Sequence, residues 1–224
     1  MSSFIFYAGV FNKSYREKFK QFLYSLSSQF EINDIKDFPI YKIFLFILDA
    51  TGEDAEFCSS LSQYNEFLCD NFMIMYILNN KIPYILDSNR MAKDLISQFL
   101  ETKNPKGIVN TVYNDTNEIG EMFDKIESSM KNGNILFIEN VEENIYNILI
   151  NLIQDKFTYN AEKGLNNYVI RGKNCLRNKK FKLYLIKSKN SSKVNNKVFS
   201  DCILINFISN IFALLSLSIN FLFL

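Results

Sequence analysis

Two short stretches carry side chains that could act on a phosphate. The first is Asp87-Ser88-Asn89-Arg90-Met91-Ala92-Lys93-Asp94, which follows an apolar run; the second is Glu139-Asn140, which closes another. A phosphate-binding loop of the form G-x-x-x-x-G-K-[ST] wraps backbone N–H groups around phosphate oxygens, and it needs glycine because side chains would hold the backbone away. Residues 87–94 contain no glycine, so no such cradle is expected there. Lys93 reads either as a phosphate lysine or as an ordinary lysine on a helix surface. Elsewhere only Gly172 precedes a lysine, Lys173; the next residue is Asn174, and Asn167 stands where the first glycine would be. The motif is therefore absent from the chain. At the end of a strand, an acidic pair would hold Mg²⁺ and polarise an attacking water. Glu139-Asn140 offers one carboxylate and one amide, while Glu142 and Glu143 fall in the next helix. Glu139 is expected to pair with a neighbour or to cap that helix.

Composition removes other chemistries. There is no His, so the commonest general base and metal ligand are missing. No G-x-S-x-G turn presents a nucleophile. Cys58, Cys69, Cys175 and Cys202 show no C-x-x-C spacing, which argues against zinc and for free thiols in a reducing compartment. The net charge is +1 and the pI about 7.5, without the basic surplus of a nucleic-acid binder. The basic cluster from Arg171 to Lys189 is read as a solvated rim. Lys13, Arg16 and Lys18 interrupt the early apolar residues, so no secretory leader is expected.

The elements that must position these residues follow from periodicity. Phe19, Phe22, Leu23, Leu26 and Phe30 recur at helical spacing and are expected to face a core. Tyr41 to Leu48 is an apolar run suited to a strand or packed loop, Asp49 to Gln63 is expected to be a loop, and Phe67 to Leu78 a helix. From there strands and helices alternate. Strands are expected at 82–87, 107–112, 135–139, 168–171, 181–186 and 202–207, with helices at 91–101, 115–131 and 142–156. Asn132-Gly133 supplies a helix stop. Alternation of this kind implies a parallel sheet covered on both faces, with ligand chemistry just past the strand ends. That singles out residues 87–94, 139–142 and 187–189. The uncharged stretch from Cys202 to Leu224 is long enough for a membrane helix, but Asn206, Asn210 and Asn220 interrupt it.

Several blocks, in order, resemble the fifth AAA+ module of dynein heavy chains. Phe4-Ile5-Phe6-Tyr7-Ala8-Gly9-Val10-Phe11-Asn12-Lys13-Ser14-Tyr15-Arg16 is similar to the segment that follows the stalk. Ile82-Pro83-Tyr84-Ile85-Leu86-Asp87 resembles the opening strand of the module, and Gly133-Asn134-Ile135-Leu136-Phe137-Ile138-Glu139-Asn140-Val141 its strand ending in Glu-Asn-Val. Phe181-Lys182-Leu183-Tyr184-Leu185-Ile186-Lys187-Ser188-Lys189 is similar to its Phe-Arg-Leu-Tyr strand, and Ile203-Leu204-Ile205-Asn206-Phe207 to its Leu-Asn-Phe strand. The family's loop runs Asp-Pro-Gln-Gly-Gln-Ala; here Ser88, Asn89, Arg90 and Met91 replace its middle and Ala92 remains. The family's Trp-bearing loop is not recognisable in 49–66, and residues 211–224 do not match its helical lid and coiled-coil prop.

The resemblance implies an AAA+ large-subdomain-like α/β module, cut short at its C-terminal end. It implies an N-terminal helical segment over 1–66, the module over 67–210 with a degenerate nucleotide site, and an apolar tail over 211–224. Asp87, Ser88, Asn89, Arg90, Met91, Ala92, Lys93, Asp94, Glu139 and Asn140 are the positions of that site. No catalysis, cofactor or metal is expected in this chain; ATP and Mg²⁺ would belong to the rest of a microtubule-dependent ATPase motor. The implied role is structural, relaying movement between ring and stalk. The implied partners are neighbouring ring modules, the stalk and other dynein subunits, without nucleic acid or membrane contact. The implied location is cytoplasm, cytoskeleton or axoneme. The alternative is a cytosolic α/β domain anchored by a membrane helix from Cys202 to Leu224. The uncharged tail generates one prediction: a chain lacking Ile211 to Leu224 gives a higher soluble yield on expression, and an unchanged yield refutes this account of the tail.

Overall fold

The computed structural model describes residues 13–29, 66–77, 81–87, 90–103, 107–113, 119–188 and 196–207. In chain order the elements are α1 (Lys13–Gln29), α2 (Glu66–Ile77), β1 (Pro83–Leu86), α3 (Met91–Lys103), β2 (Val109–Tyr113), α4 (Ile119–Asn132), β3 (Ile135–Glu139), α5 (Glu143–Ile148), α6 (Ile150–Ile153), β4 (Thr158–Asn160), β5 (Leu165–Ile170), β6 (Lys173–Arg177), β7 (Lys182–Lys187), α7 (Asn196–Asp201) and β8 (Ile203–Asn206). The chain divides into two compact units: Asn80–Leu204, and Met1–Asn79 together with Ile205–Leu224.

Five strands form one sheet in the order β2-β3-β7-β1-β8. The pairs β2·β3, β3·β7 and β7·β1 are parallel. With helices flanking it, this is the parallel α/β architecture that the alternation of strands and helices predicts, consistent with the AAA+ large-subdomain-like fold that the resemblance implies. Every residue of β1 and β3 is buried, and so is β7 from Leu183 onward. Strands covered on both faces have no solvent side, which is why they read as unbroken apolar runs. Pro83 is tolerated because it opens its strand. Phe137 and Tyr184 are register partners, and their rings stack at 5.1 Å between centroids. The edge strand β2 differs: Val109, Asn110 and Thr111 stay half-buried.

The helices obey the period of 3.6. α3 buries Ala92, Leu95, Ile96, Phe99 and Leu100, while α4 buries Met122, Ile126, Ser129 and Met130. The expected stop after Asn132 is present. The Gly133 and Asn134 amides both donate to Ser129 O at 3.0 Å, and Gly133 has φ +75, a left-handed C-cap. The expected helix over 142–156 is broken in two at Leu149, where ψ is 6. Beyond it, Tyr146 donates to Asp201 Oδ2 at 2.7 Å and Gln154 Nε2 does so at 2.8 Å. These bonds tie the broken helix to the end of α7. Burial pushes the Asp201 carboxyl up, but hydrogen bonds from Gln154, Tyr146 and Ser200 together hold it below the usual carboxylate range.

Some expectations are corrected. Residues 168–171 do not extend the parallel sheet; they belong to β5 and the turn after it, in a separate antiparallel sheet ordered β4-β5-β6. Its other two strands were not expected, since Thr158–Asn160 and Lys173–Arg177 are polar and short. Arg171 and Gly172 take φ of 51 and 75 at the hairpin, the positive values that a two-residue turn requires. The basic stretch after Arg171 is not wholly a rim: it contributes β6 and β7, and Lys187 is 7% exposed. Residues 203–206, at the start of the proposed membrane helix, form β8 rather than a helix. Among the described residues no helix is long and apolar enough to cross a membrane. Residues 208–224, and the runs 41–48 and 49–63, lie outside the described residues.

In the other unit, α1 and α2 meet through charge. Cys69 to Met75 are all buried, so α2 is enclosed on every side. Arg16 on α1 is 1% exposed; it donates to Asn71 Oδ1 and lies 3.7 Å from Asp70 Oδ2. Burial lowers the Arg16 pKa to about 10, and Asp70 opposes that shift. Asn71 Nδ2 donates in turn to Asn206 O at 2.9 Å. Of the stripe expected to face a core, Phe22 is 55% exposed, while Arg16, at helical spacing from Phe19, Leu23 and Leu26, is buried. The side chains of Phe19, Leu23 and Leu26, and residue Phe30, lie outside the description.

The close approach at Gly133 generates a prediction. A Cβ there would lie 2.8 Å from Asn178 Cγ and 3.1 Å from Lys180 Cβ, at a φ that L residues avoid. Gly133→Ala is expected to lower unfolding free energy in urea by more than ~1 kcal/mol. Gly120→Ala, on α4 with open space around its added Cβ, is expected to be neutral or stabilising by up to ~1 kcal/mol. Equal effects of the two substitutions would refute the steric argument.

Candidate functional site

The C-terminal ends of β1, β7 and β3 lie side by side. Leu86 is in register with Lys187, and Ile186 with Glu139. The ladder runs on past the strand ends: Asp87 N–H donates to Lys187 O at 3.0 Å, and Val141 N–H to Ile186 O at 3.1 Å. Tyr84 hydroxyl donates to Val141 O at 3.2 Å. Burial raises the Tyr84 pKa far above its usual value, with Cys202 and Glu142 adding to the shift, so the phenol stays a neutral donor. Asn140 takes φ 57, a left-handed conformation that asparagine tolerates better than most residues.

Two contacts dominate this edge. Glu139 is the last residue of a fully buried strand and is 2% exposed. Lys93, on the first turn of α3, brings its Nζ to 2.6 Å from Glu139 Oε1; the side chains are 24% and 3% exposed. A carboxylate so buried costs several kcal/mol unless it is paired. The second contact closes the loop. Asp87 is fully buried, and its Oδ2 accepts the Ala92 amide at 2.8 Å. Ala92 is the second residue of α3, so the carboxylate satisfies one of the amides that every helix leaves open at its start. Arg90 takes φ 60 to turn the loop into the helix, at a cost of roughly 1–2 kcal/mol for a residue that is not glycine. Asp94 is exposed in the first turn, where an acid suits the helix dipole.

Most of the residues singled out by sequence thus gather at one edge. Asp87, Arg90, Ala92, Lys93, Glu139 and Asn140 are placed there; Ser88 and Asn89 lie outside the described residues, as does the Met91 side chain. Compared with the spacing G-x-x-x-x-G-K-[ST], Asp87 stands at the first glycine, Ala92 at the second, Lys93 at the lysine and Asp94 at the hydroxyl residue. Glu139 takes the pairing form of its two expected roles, with a partner 46 positions away that no local pattern reveals. Sequence reasoning singled out Lys187 by its place past a strand end but read it as part of a solvated basic rim. It is nearly buried at the end of β7, and burial lowers its pKa below the usual lysine value while Glu142 opposes the shift. The available signal was its place as the last residue of an apolar run.

Among the described residues no group of three or more Cys, Asp or Glu side chains could hold a metal ion. An open cavity of about 290 Å³ lies elsewhere, between α4 and the β5–β6 turn, lined in part by Phe123, Glu127, Arg171 and Cys175. None of Asp87, Arg90, Ala92, Lys93, Glu139, Asn140 and Lys187 lines it.

The ion pair can be tested as a unit. Removing one partner of a buried pair strands the other, at about 3–5 kcal/mol when both are enclosed; Lys93 keeps 24% exposure, so about 2–3 kcal/mol is expected here. Glu139→Gln and Lys93→Met should each destabilise the chain. The double variant should lose less than their sum, with a coupling of at least ~0.5 kcal/mol in urea unfolding. Additive losses would mean that the contact contributes nothing.

A comparison of the sequence with curated proteins finds no match. A family model described as "ATP-binding dynein motor region" matches residues 60–219. That span covers α2, the whole parallel sheet and the edge carrying Asp87, Lys93 and Glu139, so the chain belongs to the ATP-binding dynein motor region family.

Proposed function

We propose that the chain is a structural, non-hydrolysing AAA+ module of a dynein heavy chain, the fifth of the motor ring, which relays movement between ring and stalk. The observation that carries this reading is the 2.6 Å pair of Lys93 and Glu139. Phosphoryl transfer requires a lysine free to neutralise phosphate oxygens and a carboxylate free to hold Mg²⁺ or position water. At this edge those two side chains are engaged with each other, and the residue after Glu139 is an amide, Asn140. On this reading the site does not bind nucleotide, although the family is described as ATP-binding. The ordered blocks that resemble the fifth module support the position in the ring.

On this reading the chain needs no cofactor of its own, and nucleotide and Mg²⁺ act in other modules. Its partners are the adjacent modules, the stalk and other dynein subunits, in cytoskeleton-associated cytoplasm or an axoneme. The test is thermal unfolding with and without millimolar ATP and Mg²⁺. No change in Tm is expected. Stabilisation approaching ~2.7 kcal/mol, the value for ligand at a hundred times its Kd, would show a working nucleotide site and end this reading.

A further inference from the structure

Missing glycines explain why a phosphate cradle is poor, but they leave the donors at its place intact. The Ala92 amide still points out of the start of a 13-residue helix, and Lys93 still carries a charge beside it. Both donors are already used by carboxylates of this chain. Asp87 Oδ2 lies 2.8 Å from the Ala92 amide, and Glu139 Oε1 lies 2.6 Å from Lys93 Nζ. Asp87 is 0% exposed and Glu139 2%, so neither acid sits there as a solvated surface group.

We propose that Asp87 and Glu139 are the site's own anionic ligands, seated where phosphate oxygens would otherwise sit, so that the module is closed to nucleotide by internal occupancy. The proposal rests on the reading of the module as non-hydrolysing and adds the cause. Two features support it beyond the distances. Asp87 stands at the first glycine of the phosphate-loop spacing, and its carboxylate reaches the amide of Ala92, which stands at the second. Arg90 holds φ 60 immediately before α3, turning the chain into the helix whose second amide Asp87 accepts. A phosphate approaching this edge finds the Ala92 amide and the Lys93 ammonium already taken by carboxylates, and has to displace both buried acids to reach them.

The test removes the internal anions and offers an external one. Inorganic pyrophosphate, at matched ionic strength and without added metal, is titrated into the native chain and into Asp87→Gly/Glu139→Gln, with Tm as readout. The native chain should show no shift. The variant should gain a saturable rise of at least ~3 °C at millimolar pyrophosphate. Asp87→Asn/Glu139→Gln, which keeps acceptors of the same shape without charge, carries the test if the glycine variant does not fold. If neither folds alone, pyrophosphate present during refolding should restore native circular dichroism. A folded variant without a pyrophosphate response, no rescue on refolding, or a pyrophosphate shift in the native chain each overturns internal occupancy. The non-hydrolysing reading fails separately, through a response of the native chain to ATP and Mg²⁺.

Discussion

A carboxylate at the end of a strand enclosed on both faces has few alternatives. Water cannot reach Glu139 in quantity, and an unpaired buried charge would cost more than most single interactions in a domain contribute. Lys93 answers that demand at 2.6 Å, and the local architecture follows from the need to bring it there. α3 has to begin close above the sheet, so the loop from β1 is short. The chain enters α3 through Arg90, which accepts a left-handed conformation. The helix start is then pressed against the strand end, and Asp87 satisfies the Ala92 amide that crowding would leave without solvent.

The parallel sheet supplies the spacing that makes the pair possible. β7 lies between β1 and β3, so the chain ends at Asp87 and Glu139 are two strand spacings apart, roughly 10 Å. Lys93, on the first turn of α3, meets Glu139 there. The same order places Lys187 between the two acids along the edge, carried by the strand that pairs with both. Registers Leu86↔Lys187 and Glu139↔Ile186 fix these residues at nearly one level. The edge is thus built by three elements far apart in sequence, and its charge balance exists only once all three are paired.

That explains which parts were legible beforehand. β3 could be read to the residue because Gly133-Asn134 and Asn140 bound a run of five apolar or terminal positions, and the end of α4 because Asn132-Gly133 is a stop with a physical cause. The fold class followed from the rhythm of such runs. The small antiparallel sheet escaped because Thr158–Asn160 and Lys173–Arg177 carry few apolar residues and take their hydrogen bonds from each other. The burial of Arg16 on α1 escaped because periodicity counts apolar residues, and only Asp70 and Asn71 make an enclosed guanidinium tolerable. At the site, residue types and positions were visible, yet the partners were not. Lys93 could be read as surface or phosphate lysine, and only the sheet order decides that its partner is Glu139.

The distinction between an eroded site and an internally filled one bears on mechanics. A ligand can shift a conformational equilibrium only through different affinities for its states, and a module whose donors are met by its own acids gives nucleotide no such lever. Erosion alone would leave the helix start and Lys93 solvated and loosely placed, free to drift as neighbours move. Internal occupancy instead ties α3 to β1 through Asp87 and to β3 through Glu139, joining the helix layer to the sheet at two points. On the proposed reading as a relay within a ring, that joining is the useful property: the larger unit moves as one body under load, and timing is left to modules that still bind nucleotide.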